Sequence, residues 1–273
     1  MSNCNHDCNN CSEKCSSKNE QSFKIKNNPL SNVKKVIGIV SGKGGVGKST
    51  ITSLLAVSLN KKGYTTAILD GDITGASIAK VFGVKEEVKA LNENTMLPVI
   101  SRDGVEIMSI NFFLEDETDP VVWRGPVLAG ALKQFWSDVA WGEVDFMFVD
   151  MPPGTGDVPL TAFQSLPLDG IVIVTTPQEL VGSIVTKAFK MAQMMKIPVL
   201  GLVENMSYFI CPKCNEKHYI YGKGKSKEVA KAFNVDVVSE LPITPKYANL
   251  CDQGKIEELD DEVLKEIIDN LTK

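Results

Sequence analysis

Nine consecutive residues, Gly42-Lys43-Gly44-Gly45-Val46-Gly47-Lys48-Ser49-Thr50, carry the pattern G-x-x-x-x-G-K-[ST] in full. Glycines let backbone N–H groups curl around an anion, at the positive end of a helix that begins where the run stops. The pattern predicts a phosphate cradle in which Lys48 neutralises the β- and γ-phosphates of a nucleotide and the Ser49 hydroxyl ligates Mg²⁺. Two acidic groups follow apolar runs further along: Asp70-Gly71-Asp72 after Thr66–Leu69, and Asp150 after Phe146–Val149. Carboxylates so placed can hold a metal ion's waters and orient an attacking water. For Asp70 and Asp72 a capping or turn role is the alternative. Asp150 opens Asp150-Met151-Pro152-Pro153-Gly154-Thr155-Gly156-Asp157, a stiff turn with exposed amides suited to sensing a γ-phosphate.

Cysteines supply a second chemistry. Cys211-Pro212-Lys213-Cys214 sets two thiolates on one tight turn, half of a tetrahedral zinc site or half the Cys₄ set of a [4Fe–4S] cluster. His218 is the only extra ligand type close by, so a complete zinc ribbon is not written within the chain. Two copies of the turn across a two-fold axis would supply four thiolates. Zinc binding and an inert thiol pair are the competing readings. Cys4, Cys8, Cys11 and Cys15 form C-x₃-C-x₂-C-x₃-C, a compact ferredoxin-like run without its terminal proline. A second cluster, zinc and a redox-sensitive tail all remain open there. Cys251 stands alone and reads as a small buried hydrophobe.

These groups need elements to position them. Apolar runs at Val36–Val40, Thr66–Leu69, Val105–Ile110, Phe146–Val149, Ile171–Thr175, Val199–Val203 and Val237–Leu241 predict strands. Helical periodicity lies between them at Ile51–Lys61, Leu128–Val139 and Ile184–Met195, with a last helix near Leu259–Leu271. Val/Ile runs alternating with helices imply an α/β fold: a doubly wound, mainly parallel sheet with ligands beyond the carboxyl ends of its strands. Residues 1–32 are polar and cysteine-rich, expected to be mobile unless they bind metal; residues 33–273 are expected to form the nucleotide-binding domain.

Composition narrows the partners. A formal net charge of −5 argues against a general nucleic-acid surface. No apolar run reaches the ~18 residues of a membrane span, and the polar N-terminus lacks a signal peptide's apolar stretch. Seven cysteines without an export signal point to metal ligation or free thiols in the cytoplasm.

Lys43, directly after the first glycine, marks the deviant Walker A loop, and the chain here resembles the P-loop NTPase superfamily of MinD, ParA and the nitrogenase iron protein. That resemblance implies that Lys43 reaches the partner's phosphates across a nucleotide-sandwich dimer, that Asp72 activates water, and that Asp150 is the Walker B aspartate. A solvated loop lysine is the plainer alternative for Lys43. Trp123-Arg124-Gly125-Pro126, Met151–Asp157, Thr175-Thr176-Pro177-Gln178 and Glu204-Asn205-Met206-Ser207-Tyr208-Phe209, followed by Cys-x-x-Cys, are similar to Mrp/ApbC-type iron–sulfur cluster carrier ATPases over roughly residues 33–257. The similarity implies ATP hydrolysis by a homodimer that holds a [4Fe–4S] cluster and delivers it to apo-proteins alongside assembly factors, with Asn205 contacting adenine. Ala76 stands where that family usually has proline. A MinD/ParA-like positioning ATPase is the rival; the acidic C-terminus (Glu257, Glu258, Asp260, Asp261, Glu262) disfavours an anionic membrane anchor. A zinc-binding P-loop ATPase and an electron-transferring reductase are further alternatives.

Overall fold

Val36 and Val40 enter one hydrophobic core while Ile37 and Ile39 enter another, so the first strand is covered on both faces. The same split recurs at Ala67 and Leu69 against Ile68, and at Ile171 and Ile173 against Val172 and Val174. Such burial on two sides is why these strands read as unbroken apolar runs. In this computed structural model the described residues are 24–116, 121, 123, 125–154, 156–178, 184–260 and 262–273. Cys4, Cys8, Cys11 and Cys15 lie outside them, as does Arg124.

The strands are β1 (Ser31–Ser41), β2 (Thr66–Asp70), β3 (Ala90–Asn92), β4 (Thr95–Met96), β5 (Val99–Ile100), β6 (Glu106–Met108), β7 (Gly142–Asp150), β8 (Gly170–Thr175), β9 (Val199–Ile210), β10 (Lys217–His218) and β11 (Val238–Pro242). The α-helices are α1 (Lys48–Lys61), α2 (Ile78–Phe82), α3 (Gly125–Ser137), α4 (Asp157–Ser165), α5 (Ile184–Met194), α6 (Ser226–Ala232), α7 (Pro245–Asp252) and α8 (Lys265–Leu271). The main sheet runs β10-β9-β8-β1-β7-β2-β6-β5, with β11 also paired to β9. Its pairings are parallel except β5 with β6 and β10 with β9. Helices α1, α2 and α8 close one face through Ile51, Leu54, Ile78 and Ile267; α3, α4 and α5 close the other through Leu132, Phe135, Phe163 and Phe189. Each fully buried Leu or Ile contributes about 1.5–3 kcal/mol. The fold is the doubly wound α/β arrangement expected. Its strand order reverses at β1, where such sheets open a crevice for ligands.

Several boundaries differ from the expected ones. The strand expected at Val199–Val203 continues to Ile210. Glu204, Asn205 and Ser207 break the apolar pattern, yet they are buried with hydrogen-bond partners, so the strand runs on. The helix expected near Leu259–Leu271 begins only at Lys265, after Leu264 takes a left-handed φ of 56°. Glu257, read as part of an acidic tail, is instead buried, accepting hydrogen bonds from Ser101 Oγ (2.5 Å) and the Asp103 amide (3.1 Å). No helix among the described residues is long and apolar enough to cross a membrane.

Glu106 on β6 has a buried Oε2 with no hydrogen-bond partner, and burial pushes its carboxyl up to about 7. The folded chain therefore holds this proton where the unfolded chain has released it. Its contribution to stability is complete below the unfolded pKa and is lost as pH rises through about 7. Glu106→Gln removes this dependence. Thermal unfolding should find the variant more stable than the parent at pH 8, by roughly 1–2 kcal/mol once solvent screening of the partly exposed carboxyl is allowed for, and closer to it at pH 5.

Candidate nucleotide and thiolate sites

The end of β1 and the start of α1 are joined by residues 42–47, in which Gly45 and Gly47 have φ of 81° and 83°. Those left-handed values let the chain turn tightly and bring backbone amides to face a common hollow. Gly47 is needed for space as well: a Cβ there would lie 2.4 Å from Asn205 Nδ2. The same amide donates to the Val46 carbonyl at 2.9 Å, tying the loop to β9. Gly47→Ala should therefore weaken nucleotide binding at least about tenfold and cost roughly 1–3 kcal/mol of stability. Nucleotide titration alongside thermal unfolding checks both.

Charge is concentrated beneath this loop. β2 and β7 pair in parallel with Asp70 opposite Asp150, so two strand-end carboxylates sit side by side. Lys48 Nζ, 6% exposed, lies 2.8 Å from Asp150 Oδ2 and 3.4 Å from Asp72 Oδ2. Asp150 also accepts from Ser49 Oγ and Thr52 Oγ1, both at 2.6 Å. Asp70, fully buried, accepts from Ser109 Oγ at 2.9 Å. Burial, then repulsion from Asp150, pushes Asp70 up to about 7. Burial also raises Asp72, against the pull of Lys48. For Lys48 burial works against the charge, but Asp150 and Asp72 outweigh it and hold the ammonium above its ordinary value.

Three carboxylates share one paired ammonium, an excess of negative charge that a divalent cation would balance. Hydroxyl and carboxylate oxygens suit Mg²⁺. Asp70 Oδ1 and Lys48 Nζ are both buried without an aligned hydrogen bond, which fits a site built for further ionic partners. Ser49 and Asp150 could hold the metal, and Lys48 the phosphates. Lys43 and Pro153 line the same hollow. Pro153 thereby brings the stiff turn after β7 against the phosphate loop, and the Gly154 amide donates to Ser41 O at 2.9 Å.

The second site lies where β9 turns back into β10. Phe209 pairs with His218 and Ile210 with Lys217. The Cys211 amide donates to Glu216 O at 3.0 Å and the Asn215 amide to Cys211 O at 2.9 Å, closing a tight knuckle. Backbone amides of Cys214 and Lys213 face the Cys211 sulfur and hold that thiol below its usual range. Cys211 is half-buried, Cys214 exposed, and both are free thiols. Ligand atoms of Cys211, Cys214 and His218 all lie within 4.8 Å of one another.

Of the residues expected in the phosphate site, Val46 turns into the core; Lys43, Gly44, Gly45, Gly47, Lys48, Ser49, Thr50 and Asp72 line one hollow, and Asp150 lies against Lys48 beneath it. Asn205 adjoins it, with its amide engaged on the loop and its Oδ1 on the Met206 amide. Thr52 and Ser109 had escaped the sequence reading. Thr52 follows Ser49 by three residues, a spacing that puts both hydroxyls on one helix face. Ser109 is the penultimate residue of the run Val105–Ile110, directly after β6 ends at Met108. Glu204 was read only as part of a motif; its buried carboxylate accepts from Ser207 Oγ (2.7 Å) and Ser226 Oγ.

Known proteins match this arrangement. The sequence profile of the ParA group described as NUBPL iron-transfer P-loop NTPases matches residues 32–273. An iron–sulfur cluster carrier protein of Methanocaldococcus jannaschii is 44% identical over 236 residues, 86% of this chain and 81% of that one. A nucleotide-binding protein of Archaeoglobus fulgidus, solved in complex with ADP and with cobalt found in it, is 43% identical; the match has a TM-score of 0.76 and covers 84% of this chain and 90% of that one. The septum site-determining protein MinD of Pyrococcus horikoshii, solved with Mg-ADP, matches at 21% identity and a TM-score of 0.55 over 87% of this chain and 94% of that one. That last likeness shows the fold alone.

Proposed function

Because the chain belongs to the NUBPL iron-transfer P-loop NTPases, we propose that it hydrolyses ATP and carries a [4Fe–4S] cluster, held between two copies of the chain, to apo-proteins. The observation that carries this reading is β9, a single strand with Asn205 against the phosphate loop and Cys211 just past its far end. A change at the nucleotide has a short covalent route to the thiolates. The ADP held by the Archaeoglobus relative supports an adenine nucleotide.

In this reading Lys48 presents a buried positive charge to the β- and γ-phosphates, and the loop amides donate to their oxygens. Mg²⁺, when bound, neutralises charge that develops on the transferred phosphoryl group. Ser49 and Asp150 hold it, with Thr52 fixing the Asp150 carboxylate in place. Asp72, less buried than Asp150, orients the attacking water. Lys43 reaches the partner's phosphates, so hydrolysis requires the dimer. Asn205 keeps one amide hydrogen for the adenine ring while the other remains on Val46. The cluster is cargo: two thiolates from each chain complete its four ligands. The ATPase unit spans 33–273, after a cysteine-rich segment 1–32. The free thiols suit a reducing compartment, the cytoplasm.

Anaerobic reconstitution with ferrous iron and sulfide tests the proposal. One [4Fe–4S] cluster per two chains is expected, with transfer that restores activity to the apo form of a [4Fe–4S] enzyme. A chain that takes up only zinc, or holds a cluster it never passes on, is not a carrier.

A further inference from the structure

We propose that Cys211, Cys214 and His218 of one chain form a complete site for a single thiophilic divalent ion, Zn²⁺ above all, without any ligand from a second copy. A tetrahedral centre with metal–sulfur bonds of about 2.3 Å and metal–nitrogen bonds of about 2.0 Å spaces its ligand atoms roughly 3.5–3.8 Å apart. The three ligand atoms here are all within 4.8 Å of one another, so closure asks for about an ångström of side-chain motion. Cys214 and His218 are both exposed and free to make it.

The hairpin holds these ligands together before any ion arrives. Pairing of His218 with Phe209 puts the imidazole's backbone beside the strand that leads into Cys211. Asn215, at a left-handed φ of 57°, reverses the chain between Cys214 and β10. Tyr208 packs edge-on to Tyr219, and Lys217 lies over the Tyr208 ring at 4.1 Å, bracing the base of the hairpin. Two sulfurs and one nitrogen select zinc over magnesium or calcium. They leave the fourth tetrahedral position to water, an open and exchangeable site.

The ion uses the same two thiolates as the proposed cluster, so each excludes the other. Zinc on a single chain would then block cluster loading, with His218 setting how firmly. The ion site itself stands on the hairpin geometry and needs no cluster. Only the blocking rests on the carrier reading.

Co²⁺ titration of the reduced, metal-free full chain tests the site. One ion per chain should bind, with the intense visible absorption of tetrahedral cobalt and a thiolate charge-transfer band. His218→Ala should weaken binding at least about tenfold and change the cobalt spectrum, while nucleotide binding stays at the parent level and vouches for the fold. Cys214→Ser should lose the charge-transfer intensity as well. One Co²⁺ per two chains, or a His218→Ala variant with parent affinity and spectrum, overturns the proposal. In the second arm, one equivalent of Zn²⁺ should suppress cluster reconstitution of the parent but much less that of His218→Ala. Should neither protein load a cluster even without zinc, the carrier reading fails and the cobalt result still stands.

Discussion

Lys48→Ala is expected to abolish ATP turnover, with a loss of at least about 10²–10³-fold in rate. A buried donor aimed at charge that develops during phosphoryl transfer is worth that much, and Lys48 adds a full positive charge. The folded state also suffers. Asp70 and Asp150 are fully buried, and Lys48 is the cation paired with this group of carboxylates among the described residues. Stripping one partner from a buried ionic group costs roughly 3–5 kcal/mol, part of which proton uptake returns. Loss of the cation removes the pull that Lys48 exerts on Asp70 and Asp72, whose carboxyls then rise further in the folded state. The variant's instability should therefore be larger at pH 8 than at pH 5, where more of those protons are bound. Thermal unfolding at the two pH values reads this directly, and a variant with parent stability at pH 8 would refute the charge argument. Lys43→Ala makes the contrast. Its side chain is half-exposed and stands outside the ion pairs that hold Lys48. Nucleotide binding should survive in that variant while turnover falls; unchanged turnover would contradict a role across the dimer.

How far the sequence reached depended on the range of the signal. The phosphate loop was legible because its glycines and Lys48 act within one turn between one strand and one helix. Asp70 and Asp150 were legible as strand ends, but not as neighbours. Their contact requires β7 to insert between β1 and β2, which no local pattern records. The pull of Lys48 onto Asp72 and Asp150 is hidden for the same reason. β9 was underestimated because burial of Glu204, Asn205 and Ser207 depends on partners elsewhere in the chain: Val46 for Asn205, Ser226 for Glu204. Its pairing with β11 shifts register between Glu240 and Pro242, with Met206 at a left-handed φ of 57°. Nothing in the motif Glu204-Asn205-Met206-Ser207 announces that irregularity. It lies between the residue that touches the phosphate loop and the first thiolate, where a strand that carries two functions has most reason to depart from regular pairing. His218 was visible as a nearby ligand type, but only the β9–β10 hairpin brings it to the thiols.

The double variant Cys211→Ala, Cys214→Ala should lose the cluster bound at the hairpin, about four iron atoms per pair of chains. Both thiols belong to the hairpin tip; one is half-buried, the other exposed, and neither fills a core. Substitution there should change stability by no more than about 0.5 kcal/mol, so lost iron cannot be ascribed to unfolding. Nor should the nucleotide site suffer, because the contact of β9 with the phosphate loop is made by Asn205 and Val46, upstream of the knuckle. The variant is thus expected to bind ATP normally and to deliver no iron–sulfur cluster to an apo-enzyme. Iron and sulfide analysis after anaerobic reconstitution, alongside a nucleotide titration, separates the two activities. Any iron that remains reports on Cys4, Cys8, Cys11 and Cys15. Iron that remains in full, and is still transferred, would move the carrier site away from the hairpin. If ATP affinity falls together with the iron, the two sites depend on each other more tightly than one shared strand explains, and the thiolate knuckle would have to be part of the nucleotide-binding fold itself.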